Sequence, residues 1–375
     1  MSSAGMIVHF GPAHPAAHGV LRCMLVVQGE WVLSSIISLG LLHRGTERLM
    51  ELRTAEQSVA YMDRLDYVSM IANELCYVQC YERLLHIATG YRHAIARVML
   101  VESTRIQNHL LNIACHAGDV GCLVALLWLF EDREALYDVV STWCGARMHA
   151  SCIIPGGLRS STVDAYLDVL LEHAHTMNMR LDSMLSSVLL HRVWCTRLAS
   201  VGVVLSSARH TGSSGVLMRC AGTTWDIRVV AQDSIYDTLP ITITAGTHAD
   251  SMDRAIIRIL EMMVAVSIMA MICTIGIRTI DTAGTHATSA SLHNVVHAFM
   301  GAALVSSVYT HSIESPKGEL MVTMQWVSGL CWRSRIRPAD LVHVLLLQQL
   351  CIGTCLSDVV MLVGTVDIVF GAVDM

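Results

Sequence analysis

Four short stretches hold the residues whose types and spacing could do chemistry. The run HFGPAHPAAHGVLR (residues 9–22) places His14 and His18 four apart. That interval would suit a metal on a helix, but Pro12 and Pro15 forbid a regular one, and Gly11 and Gly19 shape a loop instead. Imidazoles on such a loop either face a cavity or satisfy backbone carbonyls. In YMDRLDYVSMIANELCY (61–77), helical spacing puts Arg64 and Tyr67 on one face and stacks Asp63 on Tyr67. A phenol that meets an imidazole gives a donor pair for a carbonyl oxygen, and a solvated polar face is the alternative. ESTRIQNHLLNIACHAGDVGCL (102–123) runs helically to Gly118-Asp119. Asp119 is then either an exposed cap or a buried carboxylate that orients a histidine and stabilises its charged form. GARMHASCIIPGGL (145–158) sets Arg147 and His149 before a Pro-Gly-Gly break, where such residues are most often solvated.

The cysteines point away from a metal. There are 13 of them, an odd number, with no C-x-x-C; the nearest pairs are Cys76/Cys80 and Cys351/Cys355, each four apart. Structural zinc or an iron–sulfur cluster needs more thiolates at tighter spacing, and a disulfide framework needs a denser, even set. No metal bound by the chain itself is expected.

These residues must be positioned by an apolar chain. Of 375 residues 53% are hydrophobic and 15% charged, which excludes disorder. A net charge of −6 gives no field for nucleic acid. Only Lys317 among the 25 Lys and Arg residues is lysine, and Phe occurs four times, a bias of coding composition. The charge-free stretch Met262–Ile277 is shorter than the roughly 20 residues of a spanning helix, and Asp358 and Asp367 interrupt the apolar C-terminus. No span is expected, so the apolar surface is expected to be buried against other subunits. With its first Arg at Arg22, the N-terminal run reads as lacking a targeting segment.

Val20–Val27 and Trp31–Ile37 read as a hairpin around Gln28-Gly29-Glu30, and Glu56–Thr89 as one helix stopped by Gly90. Further helices are expected near 93–117, 124–142, 163–190 and 252–272, with strands and turns at 215–245 and 318–336. The class is α+β and mostly α. One structural unit is expected, with a β-rich segment (1–55) carrying the histidine loop, a central helical bundle (56–200) and a mixed part (201–375) packed on it.

In this order the stretches resemble the hydrogenase-like quinone-site core subunit of respiratory complex I, the NADH dehydrogenase subunit 7 type. GLLHRGTERLMELRT (40–54), GVLMRCAGTTWDIR (215–228), ESPKGE (314–319) and DVVMLVGTVDIVFGAVDM (358–375) extend the likeness over nearly the whole chain. The resemblance implies a fold like the large subunit of nickel–iron hydrogenases, a helical bundle with N- and C-terminal β elements. Those enzymes hold nickel with two C-x-x-C pairs, both missing here, so a former metal site would now serve quinone.

Carried over by motif position, His18 and Tyr67 would hydrogen-bond the quinone headgroup and Asp119 would partner His18. His14 and Glu47 would line or support the site. Arg64 and His149 would lie beside a 4Fe–4S cluster held by a neighbouring subunit, and Arg44 matches a position that some members methylate. The implied activity is NADH:ubiquinone reductase coupled to proton translocation by membrane subunits. The implied partners are the terminal-cluster subunit, the adjacent peripheral-arm core subunit and the membrane subunit at the quinone entrance. The implied place is the matrix side of the mitochondrial inner membrane, organelle-encoded, or else the cytoplasmic face of a bacterial membrane. The competing readings are a scaffold without quinone chemistry, a nickel-bearing hydrogenase and a relative fed by another electron donor. Departures from the pattern lie at 267–309, at Gly353-Thr354-Cys355-Leu356 and at 328–341.

Overall fold

The computed structural model describes residues 5–13, 19–159, 163–189, 191–204, 212–231, 235–282, 307–327 and 330–375. His14 and His18 lie outside them, as does most of the divergent 267–309 region.

The N-terminal alternation forms a three-stranded antiparallel sheet, β1 (Met6–Phe10), β2 (Arg22–Gln28) and β3 (Trp31–Ser38). The expected hairpin is present, with Gln28 opposite Trp31 and Gly29 supplying the left-handed φ of 64° its turn needs. Cys23, Leu25, Val27 and Val32 turn inward onto a core shared with the C-terminal helices. Met6, Ile7, Trp31, Leu33 and Ile36 are left exposed. The hairpin tip is stitched to the segment at Gly353–Leu356, where the Gly353 amide donates to the Val32 carbonyl (2.8 Å) and the Leu356 amide to the Glu30 carbonyl (2.8 Å).

A short α1 (Thr46–Glu51) leads to α2 (Ala55–Met62) and α3 (Met70–Leu85), and a bundle follows of α4 (Tyr91–Val120), α5 (Leu123–Cys144) and α6 (Val163–Met184). The single helix expected over 56–89 is therefore two, broken at 63–69. Two short strands, β4 (Ile153–Ile154) and β5 (Gly157–Leu158), follow α5, and α7 (Arg192–Leu198) follows α6. The strands expected at 215–245 are instead short helices, α8 (Val216–Cys220) and α9 (Ile227–Val230), joined by turns; the Asp226 side chain caps α9 by accepting from the Arg228 amide at 2.9 Å.

The longest helix, α10 (Ser251–Thr282), packs along α4 and α6. By length and apolarity its first 24 residues could cross a membrane. They are core instead, because Arg254, Arg258 and Glu261 on this helix are buried and bonded to other elements.

The expected strands at 318–336 are β7 (Gly318–Val327) and β8 (Leu330–Arg337), paired antiparallel after β6 (Ser307–Ser315). This sheet lies on α3, whose Cys76 and Cys80 thiols donate to strand carbonyls such as Leu320 (3.5 Å) and Val322 (3.5 Å), the packed role expected of helix cysteines. The chain closes with α11 (Ala339–Leu350), α12 (Leu356–Val366) and α13 (Phe370–Val373).

The tight β6–β7 turn depends on Gly215. Its φ of 66° and ψ of −146° lie in a glycine-only region, and a Cβ there would sit 2.4 Å from the Lys317 carbonyl oxygen. Gly215→Ala is expected to cost at least about 3 kcal/mol, read as a lowered thermal transition, since backbone strain and a backbone clash add.

Candidate functional site

The break between α2 and α3 makes the site. Residues 63–69 leave the helical path because long-range partners hold them. Asp66 accepts from the Val68 amide (3.1 Å), from the Ser69 hydroxyl and from Lys317 Nζ (3.1 Å). Asn73 Nδ2 donates to the carbonyls of Met62 (3.3 Å) and Asp66 (3.4 Å). Arg44, just ahead of α1, donates through Nη2 to the carbonyls of Arg64 (2.9 Å) and Gly371 (3.1 Å), tying the loop to the chain's end. Glu47 accepts from the Ile336 amide at 2.8 Å and fixes α1 to β8.

On this clamped loop Tyr67 projects outward, 42% exposed, over a buried base. Partial burial raises its hydroxyl pKa, and the charges of Lys317, Asp66 and Asp367 and the thiol of Cys115 reach it. The helix-face pairing of Tyr67 with Asp63 and Arg64 is corrected, since no helix runs through these residues. The Asp63 carboxylate turns the other way and accepts from the Ser151 amide (3.1 Å) and hydroxyl (2.8 Å).

That contact brings the 145–153 segment against the corner. His149 Nδ1 bonds the Asp63 carbonyl at 3.2 Å, and the His149 amide donates to Met70 Sδ at 3.0 Å. His149 and Ser151 both take left-handed conformations, φ 55° and 44°, a strained path that the Asp63 contacts hold. Glu74 accepts from the Ile153 amide at 2.9 Å. Burial raises the pKa of both Asp63 and Glu74, and the neighbouring carboxyl of Asp63 raises Glu74 further. Arg64, exposed, donates Nη1 to the Ala60 carbonyl (2.6 Å), and its carbonyl adjoins the peptide that receives His149. Arg147 pairs with Glu134 on the surface, as a solvated arginine would.

Asp119 lies in the last turn of α4, half-buried rather than a free cap. Burial pushes its carboxyl up to about 6. Cys115, one turn back, is reached by the charges of both Asp119 and Asp367, and it reaches Tyr67 in turn. The approach of α12 to α4 there depends on Gly364, where a Cβ would stand 2.9 Å from Asp119 Oδ2. Asn112 Nδ2 donates to the Gly364 carbonyl at 2.8 Å beside it. Gly364→Ala is expected to push the Asp119 carboxylate aside with little net change in thermal unfolding, since the contact is a side-chain end and alanine favours the helix by roughly 0.5–1 kcal/mol.

Residues 119–375 match the family model described as respiratory-chain NADH dehydrogenase, 49 Kd subunit. A NADH-ubiquinone oxidoreductase 49 kDa subunit of Cafeteria roenbergensis is 38% identical, the match covering 98% of this chain and 96% of the relative. The chain belongs to the 49 kDa subunit family of respiratory complex I. NADH dehydrogenase [ubiquinone] iron-sulfur protein 2 of Arabidopsis thaliana is 38% identical over 98% of this chain and 97% of its own length. For a NADH-quinone oxidoreductase chain of the bacterium Anaplasma marginale the figures are 35%, 98% and 96%.

This complex I subunit also carries a buried charge network that residue-by-residue reading misses. Arg219, 1% exposed, donates Nε to Glu261 (2.7 Å) and Nη1 to Glu314 (2.8 Å). Arg228 bridges Asp226 (2.8 Å) and Glu102 (3.2 Å), and Arg105 joins Glu102 (3.2 Å). Burial would raise the Glu261 carboxyl, but Arg219 and His109 hold it below the usual range. Burial lowers the pKa of His109, which bonds Glu261 at 3.0 Å. The available signal is the pair Glu102 and Arg105 within a long helix, together with the two arginines of 215–228.

Proposed function

We propose that the patch between Tyr67 and Asp119 is the quinone headgroup site of the complex, with His18 completing it from the 9–19 loop. The carrying observation is a part-exposed phenol on a loop clamped by distant partners, with a half-buried carboxylate in the last turn of α4 as the second polar group. Such a phenol can donate to a quinone oxygen without reorganising the loop that bears it. Asp119 would hold His18 in its charged form, so that imidazole and phenol supply the two protons a reduced headgroup takes up.

A 4Fe–4S cluster in the adjacent subunit would deliver the electrons, one at a time. The corner where His149 meets Asp63, next to Arg64, faces that neighbour in this reading. The chain's own contribution is binding, orientation and proton donation, within a hydrogenase-like fold whose former metal pocket serves quinone. Proton translocation would belong to the membrane subunits, driven by charge rearrangement at Asp119 and movement of the histidine loop. The exposed Met6, Ile7, Trp31, Leu33 and Ile36 offer apolar surface for neighbouring subunits, and the assembly would lie on the matrix side of the mitochondrial inner membrane.

Asp119→Asn in assembled complex tests this reading. Quinone reduction is expected to fall about 10-fold or more, the usual effect of removing the orienting group of an acid–base pair. The pH dependence has a fixed sign. Burial by itself raises the Asp119 carboxyl to about 6 and a charged His18 beside it lowers that value, so activity needing the carboxylate declines as pH falls through a point below about 6. The variant should lack this acid limb. Unchanged rate and unchanged limb would remove Asp119 from the mechanism.

A further inference from the structure

Cys144 closes α5, and the chain then turns at Gly145, whose φ is 77° and whose amide donates to the Ser141 carbonyl at 2.8 Å. Cys152 lies beyond the turn on an equally fixed backbone. Its neighbour Ser151 is bound to the Asp63 carboxylate and its neighbour Ile153 to Glu74. Its own carbonyl accepts from the Arg159 amide at 3.0 Å. Both residues are free thiols, Cys152 buried and Cys144 half-buried.

The two side chains meet, the Cys152 thiol hydrogen-bonding to that of Cys144. They also share the wall of one cavity of about 120 Å³, with Leu100, Trp143, Leu158 and Arg159. Arg159 is exposed, so the rim of the cavity reaches solvent on that side. One water needs only ~10–15 Å³ of such space, and a molecule about two waters in size fits beside the sulfurs.

The thiols are not equivalent. The hydrogen bond with Cys152 lowers the pKa of Cys144, while burial and the charge of Asp63 oppose it. The same bond raises Cys152 well above the usual thiol range, together with burial and the charges of Glu74 and Asp63. Thiolate is the reactive form, so the pair divides into a more exposed attacking sulfur and a buried one kept protonated beside it. We propose that Cys144 and Cys152 form a peroxide-reactive site, Cys144 taking the oxidant and Cys152 resolving it to an intrachain disulfide. The Cys144 sulfur attacks one peroxide oxygen, the O–O bond breaks, and a sulfenic acid forms while the departing hydroxide takes the thiol proton and leaves as water. The Cys152 sulfur then attacks the sulfenic sulfur. The S–S bond forms, the S–O bond breaks, and a second water carries off the Cys152 proton. Two thiols and one peroxide thus give one disulfide and two waters, with two electrons passed from sulfur to the peroxide oxygens. The bond closes the chain over residues 144–152 and pins the segment through which His149 and Ser151 contact Asp63. In a compartment that keeps thiols reduced it is transient, and a thiol reductant reopens it.

The test exposes purified assembled complex to graded hydrogen peroxide, then alkylates the remaining thiols and reads the cysteine peptides by mass spectrometry. Cys122, exposed ahead of α5, is the internal reference. Cys144 and Cys152 are expected to lose alkylation together, about 10-fold faster than Cys122, because the thiol of lowered pKa carries more thiolate. Their peptides should appear as one cross-linked species that dithiothreitol separates. Cys152→Ser should leave a sulfenic acid on Cys144 that dimedone traps, and Cys144→Ser should leave Cys152 unreactive. Cys144 and Cys152 still open to alkylation after Cys122 is oxidised would overturn the proposal. So would a sulfenic acid on Cys152 in Cys144→Ser, or a disulfide from Cys144 to any other cysteine.

Discussion

Tyr67→Phe is expected to slow quinone reduction by ~10²-fold or more, the loss typical of removing a positioned proton donor. Assembly should be untouched. The substitution deletes one hydroxyl from a ring that is 42% exposed, and the loop is held by Asp66, Asn73, Arg44 and Lys317 rather than by the phenol. A change within about ±0.5 kcal/mol in stability is the expectation for such a site. The measurement pairs steady-state quinone reduction with NADH oxidation by an artificial acceptor. Only the first should fall, since the loss is confined to the headgroup. An equal fall in both would place Tyr67 in assembly instead.

Arg219→Ala is expected to have the largest effect on folding. It strands Glu261 and Glu314, each within 3 Å of the guanidinium and both buried, and removes the longer-range compensation of Asp226 at 3.7 Å. Removing one partner of a buried ion pair costs ~3–5 kcal/mol, because the charge left behind cannot reach water. The cost should appear as loss of assembled complex or a strongly lowered thermal transition. Arg219→Lys keeps the charge but loses the fork that meets two carboxylates, so an intermediate loss is expected. Wild-type stability in both variants would mean that the network is dispensable.

The elements legible in the sequence are those whose reasons are local. The β2–β3 hairpin follows from alternation and Gly29, and β7 and β8 from β-rich runs. The Asp119 turn of α4 follows from helical periodicity ending at a glycine. The break at 63–69 is not legible, because what bends the chain there is Lys317, Ser151 and Arg44, all distant in sequence. A continuous apolar period over 56–89 therefore reads as one helix. The short helices at 215–230 read as strands for a related reason, since α8 starts at a glycine seated on the β6–β7 turn.

The candidate site divides along the same line. Residue types mark Tyr67, Asp119, Arg64 and His149, while Arg44 and Glu47 enter by family likeness and prove to be clamps made through backbone contacts. The charges inside the bundle cannot be paired from sequence. Arg219 and Arg228 lie on short segments that topology alone brings against Glu102, Glu261 and Glu314. Of the expected site residues, His14 and His18 fall outside the described chain, so their half of the proposal rests on motif position.

The most direct measurement is a structure of the assembled complex with a quinone in its reduction site. The predicted result places the headgroup with one carbonyl oxygen in hydrogen-bond contact with the Tyr67 hydroxyl and the other facing His18, with Asp119 behind that imidazole. A headgroup lodged elsewhere, with Tyr67 turned to solvent, would contradict it.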